Sequence, residues 1–237
     1  MSTRPTALVL AGPGTNRDRD LVLALELAGA DATIALTSEL ERRPELLDRA
    51  QLLAVAGGFS YGDALGAGRM MALDLTADVQ AFAAAGKPVI GICNGFQTLT
   101  RAGLLPGALG HNAHGRFECR WVQIEPEPTS ACVWTRGLHQ PIHCPIAHGE
   151  GRYVHPDPAA LAEAGQVALR YRSTNPNGSA ADIAGVCNAA GNVLGLMPHP
   201  ENFVVARQHP RHSPGTDLTE HLGLHLFRNG VTAAKDF

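Results

Sequence analysis

Short apolar segments alternate with helical patterns over the first hundred residues, and this alternation limits the chain to a small set of folds. Each apolar segment has the length of a strand and ends at glycine or polar residues. The predicted strands are 6–11, 31–36, 51–56 and 88–92. The predicted helices between and after them are 20–28, 70–85 and 94–102. Strands joined by helices make right-handed crossovers, so we expect an α/β fold with a mainly parallel sheet.

The second half of the chain has a different pattern. Apolar and polar residues alternate along 116–125, as they do in a strand with one exposed face. Further strands are predicted over 167–171, 183–187 and 193–197. A C-terminal helix is predicted over 217–228, where leucines recur every four positions. We therefore expect antiparallel additions to the parallel sheet, within a single domain over 1–237.

Composition excludes several classes of protein. The net charge is −3, without the basic excess of a sequence-independent nucleic-acid binder. No apolar run is long enough for a membrane-spanning helix, so we expect no membrane association. The five cysteines are odd in number and irregularly spaced, which argues against a disulfide framework and favours a reducing cytoplasm. Two histidine pairs with three-residue spacing lack a supporting cysteine pair, so no metal site is expected.

The most informative motif is Gly-Ile-Cys-Asn-Gly at 91–95, between a predicted strand and a predicted helix. A cysteine at such a turn is the thiol version of a nucleophile elbow. The start of the helix favours a thiolate at Cys93, and the N–H of Asn94 is available to a developing oxyanion. The alternative is that Cys93 is a small apolar residue at the end of a buried strand.

A histidine and a glutamate follow the last predicted strand. His199 lies between Pro198 and Pro200, and Glu201 comes two residues after it. A carboxylate at that spacing can accept from one imidazole nitrogen while the other faces the thiol. Both strand ends would lie at the carboxyl edge of a parallel sheet, where α/β sites form. The alternative is an exposed proline-rich loop.

A third element, Ala-Gly-Gly-Phe-Ser-Tyr-Gly-Asp at 56–63, follows the third predicted strand. Glycines at a strand end allow the backbone to approach a ligand closely, and the N–H of Gly58 is a candidate second oxyanion donor. The alternative is an ordinary turn.

In this order, the three elements resemble the class I (triad-type) glutamine amidotransferases. Further stretches resemble one family among them, the glutaminase subunits of phosphoribosylformylglycinamidine synthase, which act in purine biosynthesis. The matching stretches are 13–20, 57–63, 91–97, 102–109, 147–153, 175–179, 183–185 and 191–201. The combination of GGFSYGD, CNGFQ and HGEGRY is more specific than the cysteine and His-Pro-Glu elements, which the superfamily shares.

The resemblance implies a flavodoxin-like class I glutamine amidotransferase fold with a Cys-His-Glu triad. Cys93 would attack the side-chain amide of glutamine. His199 would accept the thiol proton and protonate the leaving ammonia, and Glu201 would orient His199. The N–H groups of Gly58 and Asn94 would bind the oxyanion, and water would release glutamate from the thioester.

The resemblance also implies the residues that bind glutamine. Gln97 matches a position that contacts the substrate, and His148 and Gly149 match a segment that closes over its α-amino and carboxylate groups. The chain departs from the family pattern at Ala64 and Gly66, where an aromatic residue and an arginine are usual, and at Arg17, where cysteine is common.

The partners follow from the same resemblance. Ammonia from L-glutamine would pass to a large synthetase subunit, which uses ATP and Mg²⁺ to convert formylglycinamide ribonucleotide to the amidine. This chain would itself hold no cofactor, in agreement with the lack of a Gly-x-x-x-x-Gly-Lys-Ser/Thr phosphate loop. A small third subunit often accompanies such chains. Three alternatives stay open: an amidotransferase subunit of another synthetase, a free-standing γ-glutamyl hydrolase and a catalytically silent binding module.

Overall fold

The computed structural model describes residues 4–58, 69–213 and 217–237, with side chains described outside 69–76. The strands are β1 (Thr6–Ala11), β2 (Asp31–Leu36), β3 (Leu52–Val55), β4 (Val89–Ile92), β5 (Ala108–Gly110), β6 (Glu118–Pro126), β7 (Ile142–His148), β8 (Arg152–Val154), β9 (Val167–Tyr171), β10 (Ile183–Cys187) and β11 (Val193–Leu196). The helices are α1 (Asp18–Ala28), α2 (Thr37–Arg42), α3 (Glu45–Asp48), α4 (Arg69–Ala84), α5 (Asn94–Arg101), α6 (Pro158–Glu163) and α7 (Leu224–Ala234).

Within the described residues, nine strands form one sheet in the order β2-β1-β3-β4-β11-β10-β9-β6-β7. The strands from β2 to β11 in this order are parallel, and the strands from β10 to β7 continue the sheet antiparallel. Strands β5 and β8 form a separate antiparallel pair. The prediction of a mainly parallel α/β sheet with antiparallel additions is confirmed.

The parallel strands form the centre of the core. Every residue of β3, β4 and β11 is buried. Helices cover both faces of a parallel sheet, which explains why these strands are continuous apolar runs in the sequence. The edge strand β2 is mostly exposed.

The register of the central strands sets the place of the site. Ile92 at the end of β4 pairs with Leu196 at the end of β11, and Val55 at the end of β3 pairs with Gly91. The segments that follow these three strands therefore leave the sheet at the same edge.

The C-terminal helix differs from its prediction over 217–228. A short 3₁₀ turn covers Thr219–His221, Leu222 is extended, and α7 begins at Leu224. The N–H of Gly223 donates to the carbonyl of Phe203 at 2.8 Å, so a contact with a distant segment interrupts the helix.

Several elements were not predicted, among them β7, the edge strand of the antiparallel half. Pro145 lies in this strand and lacks the N–H of a regular ladder, which edge strands tolerate. In the described ranges 4–58, 69–213 and 217–237, the helices are all too short or too polar to cross a membrane.

Candidate active site

Cys93 occupies the turn between β4 and α5. Its backbone has φ 53° and ψ −106°, a conformation with positive φ that residues other than glycine rarely adopt. Such a conformation costs about 1–3 kcal/mol and is typical of functional sites. Two residues later, a Cβ atom on Gly95 would collide with the carbonyl oxygen of Val55. The turn is therefore held tightly against β3, with Cys93 at its apex and 7% exposed.

A 3₁₀ turn, Pro200–Asn202, follows β11. Glu201 lies within this turn, and His199 lies immediately before it. His199 Nδ1 lies 2.6 Å from Glu201 Oε1, and both residues are buried, with 3% and 1% exposed. The N–H of His199 donates to the carbonyl of Pro145 at 2.9 Å, which fixes the backbone of the turn on β7.

Electrostatics favours the protonated form of His199. Burial lowers the pKa of its imidazole, but the charge of Glu201 and the contact with the Cys93 sulfur outweigh burial and raise the pKa to about 10. The imidazole therefore retains a proton beside the sulfur over the physiological pH range. Gly57 packs closely against both His199 and Cys93, since a Cβ atom on Gly57 would lie 3.0 Å from His199 Cε1 and 3.4 Å from Cys93 Cβ.

Cys93 and His199 line a cavity of about 250 Å³. Four other residues proposed from the sequence line the same cavity, namely Gly58, Gln97, His148 and Gly149. Glu201 lies behind His199 as its hydrogen-bond partner. Asn94 is buried at the start of α5. The structure therefore brings the sequence-predicted residues to one location.

The two proposed oxyanion donors lie on different elements. Asn94 is the first residue of α5, and the N–H groups of a first helical turn have no acceptor within the helix. Gly58 lies in the cavity wall opposite Thr15, with which it forms an isolated bridge. The rest of the predicted loop, 59–63, and the departures at Ala64 and Gly66 lie outside the described residues.

Gln97 connects α5 to the segment after β7. Its Nε2 donates to the carbonyl of Glu150 at 2.6 Å, and its Oε1 accepts from Asn94 Nδ2 at 3.2 Å. Gln97 is 4% exposed, so these bonds hold a buried amide at the cavity wall.

His148 is held by a residue that sequence reasoning missed. Its Nδ1 lies 3.1 Å from Oδ1 of Asn112, and both residues are buried. Burial lowers the pKa of His148 to about 4, and the charges of His199 and His114 add to this effect. Asn112 lies in a polar stretch, Gly-His-Asn-Ala-His-Gly at 110–115, in which no spacing distinguishes it.

Two of the stretches that resemble the family support each other in space. Asn177 Nδ2 donates to the carbonyl of Gly151 at 2.8 Å, and Ser179 Oγ accepts from the N–H of Tyr153 at 3.0 Å. The NPNGS stretch therefore holds the HGEGRY stretch, which forms one wall of the cavity.

Residues of another part of the cavity wall were also missed as site residues. Asn16 and Arg17 line the cavity just before α1. Arg17 forms an ion pair with Asp20 at 3.1 Å. Asp20 also accepts a hydrogen bond at 2.9 Å from Asn202, the residue that follows Glu201 in the chain. The sequence signal for this wall was the match over 13–20, which indicated no function for these side chains.

No group of three or more metal-ligating side chains was found in the part of the chain that the structure describes. Together, the residues that line and support the cavity supply a thiol, a charged imidazole, a carboxylate and backbone N–H groups. These are the groups that acyl transfer through a covalent intermediate requires.

The family model of the CobB/CobQ-like glutamine amidotransferase domain matches residues 4–232. Two similar curated proteins are subunits PurQ of phosphoribosylformylglycinamidine synthase. The protein of Treponema denticola is 45% identical, over 96% of this chain and 98% of that one. The protein of Dehalococcoides mccartyi is 39% identical, over 96% of this chain and 97% of that one.

A solved structure, PurLQS from Thermotoga maritima, contains a similar chain. Its TM-score is 0.81 at 38% identity, and the match covers 97% of this chain and 98% of that one. A glutamine amidotransferase from Thermotoga maritima has a TM-score of 0.57 at 18% identity, over 86% of this chain and 79% of that one, which reflects a shared fold. The family match, the identities and the coverage together confirm the resemblance drawn from the motifs: this chain belongs to the family of phosphoribosylformylglycinamidine synthase subunits PurQ, within the CobB/CobQ-like glutamine amidotransferases.

Proposed function

We propose that this chain is the glutaminase subunit of a phosphoribosylformylglycinamidine synthase and hydrolyses L-glutamine for purine biosynthesis. The main support is the geometry of the elbow, where a strained, buried Cys93 lines the same cavity as an imidazole that is bonded to Glu201 at 2.6 Å. Family membership supports the choice of synthase over the other amidotransferases and the free-standing hydrolases.

In the first half-reaction, the Cys93 thiolate attacks the amide carbon of glutamine. The resulting oxyanion accepts hydrogen bonds from the N–H groups of Gly58 and Asn94. The oxyanion then re-forms the carbonyl, the C–N bond breaks, and His199 donates its proton to the leaving nitrogen. Ammonia leaves, and the glutamyl group remains on Cys93 as a thioester.

In the second half-reaction, His199 is neutral and acts as a base. It takes a proton from a water molecule that attacks the thioester carbonyl, and the same N–H groups bind the second oxyanion. The C–S bond breaks, which releases glutamate and returns Cys93 as a thiolate beside a protonated His199. Glu201 holds the imidazole in one orientation and stabilises its positive charge in both steps.

The amino-acid end of glutamine binds to the wall formed by α5 and the segment after β7. Gln97, His148 and Gly149 are the proposed contacts, and their lining of the cavity that contains Cys93 supports this role.

The ammonia passes to a large synthetase subunit. There ATP and Mg²⁺ activate the formamide oxygen of formylglycinamide ribonucleotide, and ammonia displaces phosphate to give the amidine. A small third subunit completes the complex, which works in the cytoplasm. Residues 1–237 act as one domain without a cofactor of their own, a proposal supported by the nine-stranded sheet, which contains strands from both halves of the chain.

The test is reconstitution of the complex with its synthetase and measurement of amidine formation from glutamine or from ammonium. We expect weak glutaminase activity of the chain alone and strong activity in the complex. Cys93→Ser should abolish the glutamine-dependent reaction and preserve the ammonium-dependent one. Cys119→Ser is the matched control, because Cys119 is an exposed free thiol on β6. Rapid hydrolysis by the chain alone, unchanged by the synthetase, would instead indicate a free-standing hydrolase.

A further inference from the structure

A second cavity lies at the outer edge of the antiparallel half of the sheet. Its volume is about 420 Å³, and it shares no described lining residue with the cavity that contains Cys93. Strands β6 and β7 supply one side of it, and the segment 209–211 supplies the other. The lining residues are Trp121, Val122, Gln123, His143, His209, Pro210 and Arg211. A concave site of this size accommodates a ligand as large as a nucleotide.

The polar side chains of this cavity are rich in hydrogen-bond donors. Trp121 and Arg211 carry only donors, since an indole and a guanidinium have no acceptor. The Nδ1 atom of His209 accepts from the N–H of Arg211 at 3.1 Å, so a neutral ring carries its proton on Nε2 and donates there. Gln123 adds an amide group and His143 adds an imidazole. No carboxylate is among the lining residues that the structure describes.

These donors are available to a ligand. Among the described residues, no hydrogen bond or ion pair occupies the indole N–H of Trp121, the ring nitrogens of His143 or the guanidinium of Arg211. The described polar atoms that are buried without a partner all lie in the active site. The free nitrogens of this cavity are therefore accessible, in agreement with the half-buried rings of Trp121, His143 and His209 and the exposed side chain of Arg211.

The electrostatics of the cavity favours an anion. The pKa of His143 is lowered to about 4, first by burial and then by nearby charges that are all basic. These charges belong to His221, His209 and Arg211. Basic groups that lie close together without a carboxylate destabilise one another's charged forms, and an anion between them removes this repulsion.

Aromatic contacts hold the imidazoles in position. The ring of His143 stacks on that of His221, with 4.5 Å between the centroids. His221 is fixed in turn by a hydrogen bond of 2.8 Å from its Nδ1 to the carbonyl of Pro141. The ring of His209 lies against the edge of Trp121, with 4.7 Å between the centroids. The donors are therefore preorganised, which reduces the entropy that a ligand loses on binding.

We propose that this cavity binds a phosphate group, either as inorganic phosphate or as the phosphate of a nucleotide. Arg211 supplies the positive charge, and the imidazoles of His143 and His209 donate hydrogen bonds to the phosphoryl oxygens. A guanidinium suits this role because its planar set of N–H groups matches the geometry of phosphate. The site is separate from the proposed glutaminase site and does not depend on it.

The test measures the binding of inorganic phosphate, AMP and adenosine to the isolated chain by isothermal titration calorimetry. The synthetase is left out because its ATP site would add phosphate sites of its own. We expect saturable one-to-one binding of phosphate and AMP, and no binding of adenosine. An affinity for AMP equal to or lower than that for phosphate identifies the free ion as the ligand, and a higher affinity for AMP identifies a nucleotide.

Two variants of the cavity and one control locate the binding. Arg211→Gln removes the charge, and we expect it to weaken the binding of phosphate and AMP about 10- to 100-fold, the range for a hydrogen bond to a charged group. His209→Phe removes a donor and keeps a ring, and it should weaken binding about 10-fold. Arg207→Gln is the matched control, because Arg207 is exposed nearby in the chain and does not line the cavity. Its affinity for phosphate should equal that of the wild type.

Several results overturn the proposal. If neither phosphate nor AMP binds saturably, the cavity is not an anion site. Unchanged affinity in Arg211→Gln places the anion elsewhere, and equal losses in Arg211→Gln and Arg207→Gln indicate unspecific attraction to surface charge. Adenosine that binds as tightly as AMP indicates recognition of the base instead of the phosphate. Circular dichroism verifies that the variants are folded, and if His209→Phe does not fold, the exposed Arg211 decides.

Discussion

The Nδ1 atom of His199 lies 2.6 Å from the Oε1 atom of Glu201, and the tight turn between them makes this contact local. A charge-assisted hydrogen bond of this length is strong, and in a buried site it orients the ring. The second carboxylate oxygen, Oε2, is buried without a hydrogen-bond partner among the described residues. The imidazole is therefore the one hydrogen-bond partner of this carboxylate among the described residues, and the charge of Glu201, together with the Cys93 sulfur, raises the pKa of His199.

Glu201→Gln should keep the shape of the turn and remove this charge. We expect kcat/KM for glutamine to fall about 100- to 10,000-fold, as in other triads that lose the orienting carboxylate. The pKa of His199 should fall from about 10, so the alkaline limb of the pH–rate profile moves to lower pH. A profile that keeps the wild-type alkaline limb would show that Glu201 does not set the protonation of His199.

The backbone strain at Cys93 should lower the free energy of unfolding of the chain by a measurable amount. Cys93→Gly and Cys93→Ala both remove the sulfur, but glycine adopts a φ of 53° without strain. We expect Cys93→Gly to be more stable than Cys93→Ala by about 1 kcal/mol, measured by urea unfolding. Equal stability of the two variants would mean that the turn relaxes when the thiol is absent.

Gly95→Ala should destabilise the elbow, because the added methyl group meets the carbonyl oxygen of Val55. Overpacking of this kind costs about 1–3 kcal/mol, and the displaced turn should also reduce kcat. Gly110→Ala is the matched control, since nothing lies within 4 Å of its Cβ position. Thermal unfolding and glutaminase assays of both variants test the contrast, and similar behaviour of the two would contradict it.

Asn177→Ala should weaken the wall that contacts the amino-acid end of glutamine. Asn177 is fully buried and donates to the carbonyl of Gly151 at 2.8 Å and to the hydroxyl of Tyr171 at 3.3 Å. Loss of a buried partner costs about 1–3 kcal/mol per group left unpaired, so stability should fall and KM for glutamine should rise.

Asn229→Ala is the control for Asn177→Ala. Asn229, on α7, also donates two hydrogen bonds through its side-chain amide, to the carbonyls of Trp134 and Arg136. It does not line the cavity. Its replacement should lower stability without changing KM for glutamine, and an equal KM change in both variants would refute the local explanation.

The stability of the chain should decrease as the pH falls from about 6.5 to about 4. Burial and the nearby charges of His221, His209 and Arg211 lower the pKa of His143 from 6.5 to about 4. The unfolded chain therefore binds a proton in this range that the native chain does not, which favours unfolding at low pH.

His143→Gln tests this dependence. His143 stacks on His221, with 4.5 Å between ring centroids. The variant should show a smaller loss of unfolding free energy between pH 6.5 and 4 than the wild type, measured by chemical denaturation. If the unfolding free energy of His143→Gln depends on pH as steeply as that of the wild type, the effect belongs to other groups. One such group is His148, whose pKa is lowered in the same way.

Much of the fold was predictable because local patterns and tertiary structure agree. The buried parallel strands are apolar throughout, and β1, β2, β9 and β10 have the predicted bounds. The prediction failed at β7 and at the start of α7. Proline and histidine hide the strand pattern of β7, and a backbone contact with Phe203 overrides the leucine spacing before α7.

By itself, the sequence determined the order of strands and helices, the cysteine at a strand-to-helix turn and the His-Pro-Glu segment after another strand, because these are properties of neighbouring residues. Only the tertiary structure decided that burial lowers the pKa of His148, that Asn112 bonds to its ring and that the NPNGS stretch supports the cavity wall. These relationships join residues 26 to 36 positions apart, and no local pattern specifies which distant groups will share a hydrogen bond.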